Sequence, residues 1–463
     1  MAENQNTAAA PSFWEAFGVW LKIGLLSFGG PAGQIALMHK ILVEERRWID
    51  EPRFLHALNY CMLLPGPEAQ QLATYIGWLL NRTIGGLIAG LLFVLPGAMV
   101  ILALSIAYAL YAQIPLVAAA FVGVKAAVLI VVVEAVLRIG KRALKTAPMY
   151  LIACIAFLGI FLFAIPFPII ILGAALIGLI GGIKRPDLFV VIKGKSADGD
   201  VSASVVATMA ARGELSHTQP STLRSVLLLI IFGVLWGGPV AALFVVFGEG
   251  NVFAEEAAFF SKLAVVTFGG AYAVLAYMAQ QAVETYGWLT GAEMLDGLGL
   301  AETTPGPLIL VTEFVGFLAG YKNAGLIYGI FGAAIALWAT FIPCFLWIFA
   351  GATYLDWLAQ QPRLSRALTS IMAAVVGVIA NLFTWFALHL FFDNTTTLDL
   401  NIAQILVPNF ASLDLRVTAI TVVCGWLALG RQVGVPRRTW TPIGRQVSAK
   451  LDCQNGCQCQ RTS

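Results

Sequence analysis

The amino-acid sequence predicts an all-α polytopic membrane protein of two homologous halves in inverted topology, with broken or re-entrant helices. Three observations predict it: composition, an internal repeat and the placement of basic residues. Of 463 residues, 59% are hydrophobic and only 11% charged, with a mean hydropathy of +0.84. A soluble fold carries about a quarter of its residues as charged side chains. Apolar runs at 84–110, 116–137, 148–183, 225–247, 324–349, 367–391 and 415–430 approach or exceed the ~20 residues that cross a ~30 Å hydrocarbon core as helix.

The repeat is read by superposing the chain on itself. At an offset of 240 residues, Phe28-Gly29-Gly30 falls on Phe268-Gly269-Gly270, Glu44 on Glu284, Trp48 on Trp288, and Pro65-Gly66-Pro67 on Pro305-Gly306-Pro307. Further on the offset is 247, aligning Pro96 with Pro343, Pro115 with Pro362 and Glu134 with Asn381. The copies span roughly 12–145 and 252–392. Lys40, Arg46, Arg47 and Arg53 lie between 31 and 53, whereas the matching stretch 271–293 has no Lys or Arg. Arg138, Lys141, Arg142 and Lys145 follow a helix expected to end near 137, and 385–392 again has none. Basic loops stay cytoplasmic, so equivalent loops of the two copies face opposite sides, the pattern of inverted-repeat transporters.

Four regions follow: an N-terminal membrane half (1–183), a polar cytoplasmic linker (184–224), a C-terminal membrane half (225–430) and a basic, Cys-containing cytoplasmic tail (431–463). Segments 13–46 and 51–81 are expected to enter from the cytoplasm and turn back near mid-membrane. Complete spans follow at 84–110, 116–137, 148–165, 168–183 and 225–247. Five spans between the repeat starts, an odd number, invert the second copy. The opening "MAENQNTAAAPSFWEAF" lacks the basic region of a secretory leader, so the first apolar segment is expected to be retained. Cys61, Cys154, Cys344 and Cys424 lie in apolar segments and read as small packing residues. Cys453, Cys457 and Cys459 form a CxxxCxC cluster with no His nearby, a weak metal motif and more simply a reduced tail. No cofactor, metal or nucleic-acid partner is expected. Nor is a catalytic constellation found, so an enzyme is not expected.

The chemistry lies in the helix breaks. An unpaired backbone group in lipid costs several kcal/mol, so a break survives only where protein or a water-filled cavity covers it. Pro65-Gly66-Pro67 and Pro305-Gly306-Pro307 each remove two amide donors and start a new helix with proline suited to its first position. Phe28-Gly29-Gly30-Pro31 does the same one segment earlier, and Phe268-Gly269-Gly270 keeps the glycine pair. Up to four helix N-termini can thus converge near the midplane, each with about half a positive charge and free amide donors. Such termini bind phosphate, sulfate and carboxylate groups, and glycine lets an oxyanion approach the backbone. A lone Pro-Gly-Pro is more often a kink; two breaks per half at matching spacing favour an anion site.

"LKIGLLSFGGPAGQIALMHK", "VEERRWID" and "LLPGPEAQQLATYIGW", together with the second-half "TFGG" and "TTPGP", resemble the chromate ion transporter family in its long-chain, two-domain form. The resemblance covers nearly the whole chain. It implies efflux of chromate, a tetrahedral oxyanion and sulfate analogue, across the bacterial inner (plasma) membrane by a multi-pass protein, conferring chromate resistance. Where many relatives have Ser or Thr after Pro-Gly-Pro, this chain has Glu68.

The substrate-binding candidates are Lys22, Ser27, Gly29, Gly30, Gln34, Pro65, Gly66, Pro67, Gln70, Gln71, Gly269, Gly270, Pro305, Gly306 and Pro307. Lys22 is costly within a membrane and a functional candidate for that reason, against snorkelling to the interface. Gln34, Gln70 and Gln71 are neutral donors in the first turns of the new helices, weighed against packing roles. Candidates for the cytoplasmic mouth and for coupling are Arg46, Arg47, Glu68, Lys125 and Glu313; Glu302 is a further acid close to a break. Arg46 and Arg47 serve equally as topology determinants, and Glu134–Arg138 reads first as a structural i,i+4 pair. The expected partners are chromate or a sulfate-like oxyanion and the lipid bilayer, with homo-oligomerisation left open. The expected driving force is the membrane potential, a proton gradient or both. The rivals are a sulfate or other oxyanion transporter or exchanger, a passive anion channel, and a lipid-modifying membrane enzyme.

Overall fold

A computed structural model describes residues 10–185, 188–189, 204–268, 271–354, 361–392, 394–399 and 404–434. Sixteen α-helices and one two-stranded sheet account for most of them. In the first half these are α1 (Phe13–Leu26), α2 (Gly30–His39), α3 (Glu51–Cys61), α4 (Glu68–Tyr111), α5 (Pro115–Ala143), α6 (Ala147–Phe163) and α7 (Phe167–Lys184). A short α8 (Val205–Ala211) and α9 (Thr222–Phe247) lead into α10 (Val252–Val266), α11 (Ala271–Gln280), α12 (Gly291–Thr303), α13 (Val311–Ala324), α14 (Leu326–Gly351), α15 (Pro362–Phe391) and α16 (Leu415–Gly434).

The repeat is visible element by element. Both α2 and α11 pass into a π-helical turn, Lys40–Glu45 and Gln281–Thr285. Such wide turns need an extra residue per turn and recur at functional sites. α3 and α12 then run to the Pro-Gly-Pro breaks. α4 is two limbs joined at Asn81 and Arg82, whose backbone angles are non-helical. In the second half the corresponding limbs are separate helices, α13 and α14, joined at Gly325 with φ 90°. Pro96 lies inside α4 and Pro343 inside α14. Pro96 cannot donate to Leu92 O, and Gly24 of α1 packs against that carbonyl so closely that a Cβ there would sit 2.0 Å away.

The halves exchange their long helices. Val94, Ala98 and Ile101 of α4 are buried in the core built mainly from α10 to α15. In return Phe345, Leu346, Ile348 and Phe349 of α14 are buried in the core of α1 to α4. Each half therefore completes the other's interior, as a pseudo-two-fold relation requires.

Among the described residues six helices have the length and apolarity to cross a membrane: Glu68–Tyr111, Pro115–Ala143, Phe167–Lys184, Thr222–Phe247, Leu326–Tyr354 and Arg363–Phe391. α9 exposes Leu227, Ile230, Ile231 and Val234, the composition of a lipid-facing helix. Three details differ from the sequence expectation. α6, expected as a full span, is 17 residues long, which at 1.5 Å per residue is shorter than the hydrocarbon core. α5 does not end near 137 but continues to Ala143, so Arg138, Lys141 and Arg142 lie on its last turns, where cations suit the helix dipole. Two paired antiparallel strands, Thr395–Asp399 and Gln404–Pro408, are the third difference.

The linker is only partly a spacer. Val205 and Val206 amides donate to the carbonyls of Arg47 and Trp48, each at 3.0 Å, and Val205, Val206 and Met209 are buried in the first-half core. Ser204 Oγ donates to Asp50 Oδ2 at 2.9 Å. Asp50 in turn caps α3 through the Arg53 amide. The CxxxCxC cluster and the basic tail beyond 434 lie outside the described residues.

Candidate functional site

The two Pro-Gly-Pro breaks meet the ends of α1 and α10 in one junction through a reciprocal pair of backbone hydrogen bonds. Gly66 N–H donates to Thr267 O, and Gly306 N–H donates to Ser27 O, both at 2.9 Å. Ser27 and Thr267 end α1 and α10, and each is the other's counterpart in the repeat. Positive φ at Gly66 (122°) and Gly306 (95°) allows both amides to turn across the interface, a conformation that suits glycine. The loops interlock: a Cβ on Gly97 would lie 2.3 Å from Pro305 O, and a Cβ on Gly66 would lie 2.9 Å from Sγ of Cys344, the counterpart of Gly97.

The neutral side chains beside the breaks hold this junction. Buried Gln34 donates through Nε2 to Gly306 O at 2.6 Å, which directs its Oε1, without a partner, away from that carbonyl. Gln71 Nε2 donates to Pro65 O at 2.7 Å, and Gln70 Nε2 to Thr74 Oγ1 at 3.1 Å. Ser27 Oγ donates to Ile23 O at 2.7 Å. These bonds brace the breaks, and Oε1 of Gln70 and of Gln71, like that of Gln34, is buried without a partner. Pro67 precedes the first residue of α4. Pro307 precedes a 3-10 turn, Leu308–Leu310, before α13 begins, so the second break opens a tighter turn than the expected α-helix.

Gly29 and Gly30 behave differently. Both have positive φ, 83° and 72°, and a Cβ on either would meet nothing within 4 Å. They open α2, with Pro31 in its first turn. Gly29 lies on the wall of a cavity of about 610 Å³ between α2, α5, α11 and α12. Its polar wall is formed by Glu134 and Arg138 of α5, Tyr272 of α11, and Glu302 and Thr303 of α12. Arg138 Nη2 lies 3.6 Å from Glu134 Oε2, and Tyr272 OH donates to Glu302 Oε1 at 2.7 Å. One helix N-terminus, one guanidinium and two carboxyl groups therefore face the same space. Their counterparts in the repeat are Ala32, Met62, Leu63, Asn381 and Trp385, so the ionisable groups occur on one side only.

The remaining candidates are placed elsewhere. Lys125 Nζ pairs with Asp296 Oδ2 at 3.3 Å, and Tyr108 OH donates to the same oxygen at 2.9 Å, tying α4, α5 and α12 together. Lys22 is exposed on α1, and its counterpart Lys262 lies 5.8 Å from the Tyr277 ring centre. Arg46 pairs with Glu15 at 3.0 Å; Arg47 has φ 52° and receives the Val205 amide on its carbonyl. Glu68 starts α4 and is half-buried. Glu313 is buried in the first turn of α13, with Oε2 unpaired. Gly269 and Gly270 lie outside the described residues. Among the described residues no group of three or more His, Cys, Asp or Glu could hold a metal.

Sequence reasoning missed Tyr272, Asp296 and the cavity-facing position of Arg138. Asp296 carried a usable signal, since an acid within the apolar segment "EMLDGLGLAE" calls for a partner. Tyr272 carried none beyond its place two residues after the second glycine pair.

The family profile described as "Chromate transporter" matches residues 14–179 and 254–432, the two halves separated above. A chromate transport protein of Pseudomonas aeruginosa is 35% identical over 387 residues, 82% of this chain and 82% of its own. A probable chromate transport protein of Synechococcus elongatus is 27% identical over 362 residues, 78% and 81% of the two chains. A chromate transport protein of Cupriavidus metallidurans is 25% identical over 383 residues, 82% and 83%. No solved structure matches the chain. With both halves matched and identity sustained over most of its length, this multi-pass membrane protein belongs to the chromate transporter family.

Proposed function

We propose that the protein exports chromate from the cytoplasm across the bacterial inner membrane by alternating access, giving chromate resistance, with the two halves rocking about the interlocked breaks. The observation that carries this reading is the cavity shared by the α2 N-terminus at Gly29 and the Arg138 guanidinium. A helix N-terminus and a guanidinium are complementary to a tetrahedral oxyanion in both charge and donor geometry. The cavity holds the ion together with several waters, each claiming ~30 Å³ of liquid, which suits binding that must also release.

Export is also the direction the membrane potential favours. Each negative charge leaving a negative interior gains about 2.3 kcal/mol per 100 mV. An unaccompanied dianion thus gains about 4.6 kcal/mol, or roughly three decades of concentration. Sulfate shares the charge and shape of chromate and is the expected competitor.

The test is flux from liposomes holding the purified protein under an imposed potential, with chromate inside and sulfate as competitor. Saturable, electrogenic efflux with counterflow is expected from a carrier, whereas non-saturating flux without counterflow indicates a channel. Gly30→Leu fills the space above the α2 N-terminus and is expected to abolish efflux in a protein that still folds. Full efflux in that variant would remove the N-terminus from the site.

A further inference from the structure

We propose that Glu302, held by Tyr272, is the proton carrier of the transport cycle: each oxyanion moves with one proton on Glu302, in the same direction. The proposal rests on the transport reading above and concerns the same cavity. Glu302 receives the Tyr272 hydroxyl from α11 at 2.7 Å and faces the cavity beside Thr303. From α5 it faces Arg138 and Glu134, and the Arg138 charge acts on both Tyr272 and Glu302.

The charge balance of the wall makes the assignment. Arg138 is already paired with Glu134 at 3.6 Å, so an ionised Glu302 leaves the cavity with one net negative charge. A dianion entering that space is repelled by that net charge. One proton on Glu302 returns the wall to neutrality and frees the field of Arg138 for the oxyanion. In the empty cavity the ionised Glu302 shares that field instead. The proton is taken up from the side where the oxyanion enters and released with it, so a dianion and one proton carry one net negative charge per turnover.

The repeat supports a specialised role. The positions equivalent to Tyr272, Glu302 and Arg138 hold Ala32, Met62 and Trp385, so packing two homologous halves does not require these groups. The Lys125–Asp296–Tyr108 cluster shares α5 and α12 with the cavity but does not line it.

The experiment measures reversal potential in liposomes holding the full-length protein, in alkaline buffer where chromate is a dianion. A single net charge gives about 59 mV per tenfold chromate gradient, and an equal response to a tenfold proton gradient. Glu302→Gln keeps an acceptor for the Tyr272 hydroxyl but carries no proton. It is expected to halve the chromate slope to about 30 mV and lose the proton response. A wild-type slope near 30 mV without proton response, or a Glu302→Gln slope unchanged from wild type, overturns the assignment. Should Glu302→Gln conduct no flux, chromate binding in weakly buffered detergent decides. The wild type is expected to take up one proton per chromate bound and the variant none; equal uptake overturns the proposal. A wild type that neither binds nor moves chromate refutes the transport reading itself.

Discussion

The backbone amide of Gly66 donates to the carbonyl of Thr267 at 2.9 Å, and the repeat returns the bond in mirror order from Gly306 to Ser27 at the same distance. Each Pro-Gly-Pro break thereby satisfies a carbonyl left open where a helix of the other half ends. The pair explains how the two Pro-Gly-Pro interruptions persist in a hydrophobic interior, where each unpaired group would cost several kcal/mol. It also joins the two halves directly at the breaks.

Alanine at Gly66 and at Gly29 should separate structure from space. At Gly66 the added Cβ meets Gln71 Nε2 at 2.8 Å and Cys344 Sγ at 2.9 Å, on a backbone with φ 122°. Strained backbone costs about 1–3 kcal/mol and overpacking about 1–3 kcal/mol more. At Gly29 only the left-handed backbone term, about 1–2 kcal/mol, applies. Thermal unfolding in detergent is expected to show Gly66→Ala clearly less stable than Gly29→Ala, and equal loss would contradict the interlock.

Gln34→Leu removes the donor to Gly306 O. A buried carbonyl left unpaired costs about 1–3 kcal/mol, so a loss of that size is expected in unfolding. Were Gln34 a substrate ligand only, stability would hold and chromate affinity alone would fall.

Lys125 and Asp296 are expected to behave as a coupled pair. Lys125→Met strands a buried carboxylate, and Asp296→Leu strands the ammonium, each costing about 3–5 kcal/mol. The double variant, with neither charge, should recover most of that loss and retain chromate flux. Additive losses, or a stable double variant without flux, would return Lys125 to the transport path.

The linker clamp is expected to depend on pH through His217. Its Nε2–H donates to Trp78 O at 3.0 Å, its Nδ1 has no partner, and the ring is buried. Burial, with the Arg82 and Arg224 charges adding to it and the Trp78 bond opposing, pushes the His217 pKa below its ordinary value. The unfolded state then binds more protons, so stability is full above the ordinary histidine value of about 6.5 and is lost as pH falls through the lower folded value. Amide protection factors in 204–218, corrected for the intrinsic exchange rate at each pH, should fall as the solution is acidified, and His217→Gln should flatten the profile. Protection factors independent of pH in the wild type would exclude the histidine.

Much of the fold was legible because membrane insertion writes strong signals. Apolar length marked the long helices, and the paired Pro-Gly-Pro and Phe-Gly-Gly motifs marked the breaks. What the sequence concealed was pairing across the repeat. Gln34 read equally as a ligand donor and as a packing residue, since Gly306, whose carbonyl it meets, lies 272 positions away. Lys125 read as a coupling candidate without its partner in view, because Asp296 approaches it only after α5 packs on α12. Arg138 read as a helix-end pair for Glu134, and its exposure to the cavity depends on α11 and α12 closing the opposite wall. Short-range rules see one side of each contact.

The most direct measurement is a structure of the protein with chromate, located by the anomalous scattering of chromium. The oxyanion is expected in the cavity between Gly29 and Arg138, within hydrogen-bond reach of the guanidinium and with Glu302 lining its far wall. Chromium found instead near Asn381 and Trp385, or outside both halves, would contradict the assignment of the site to this cavity.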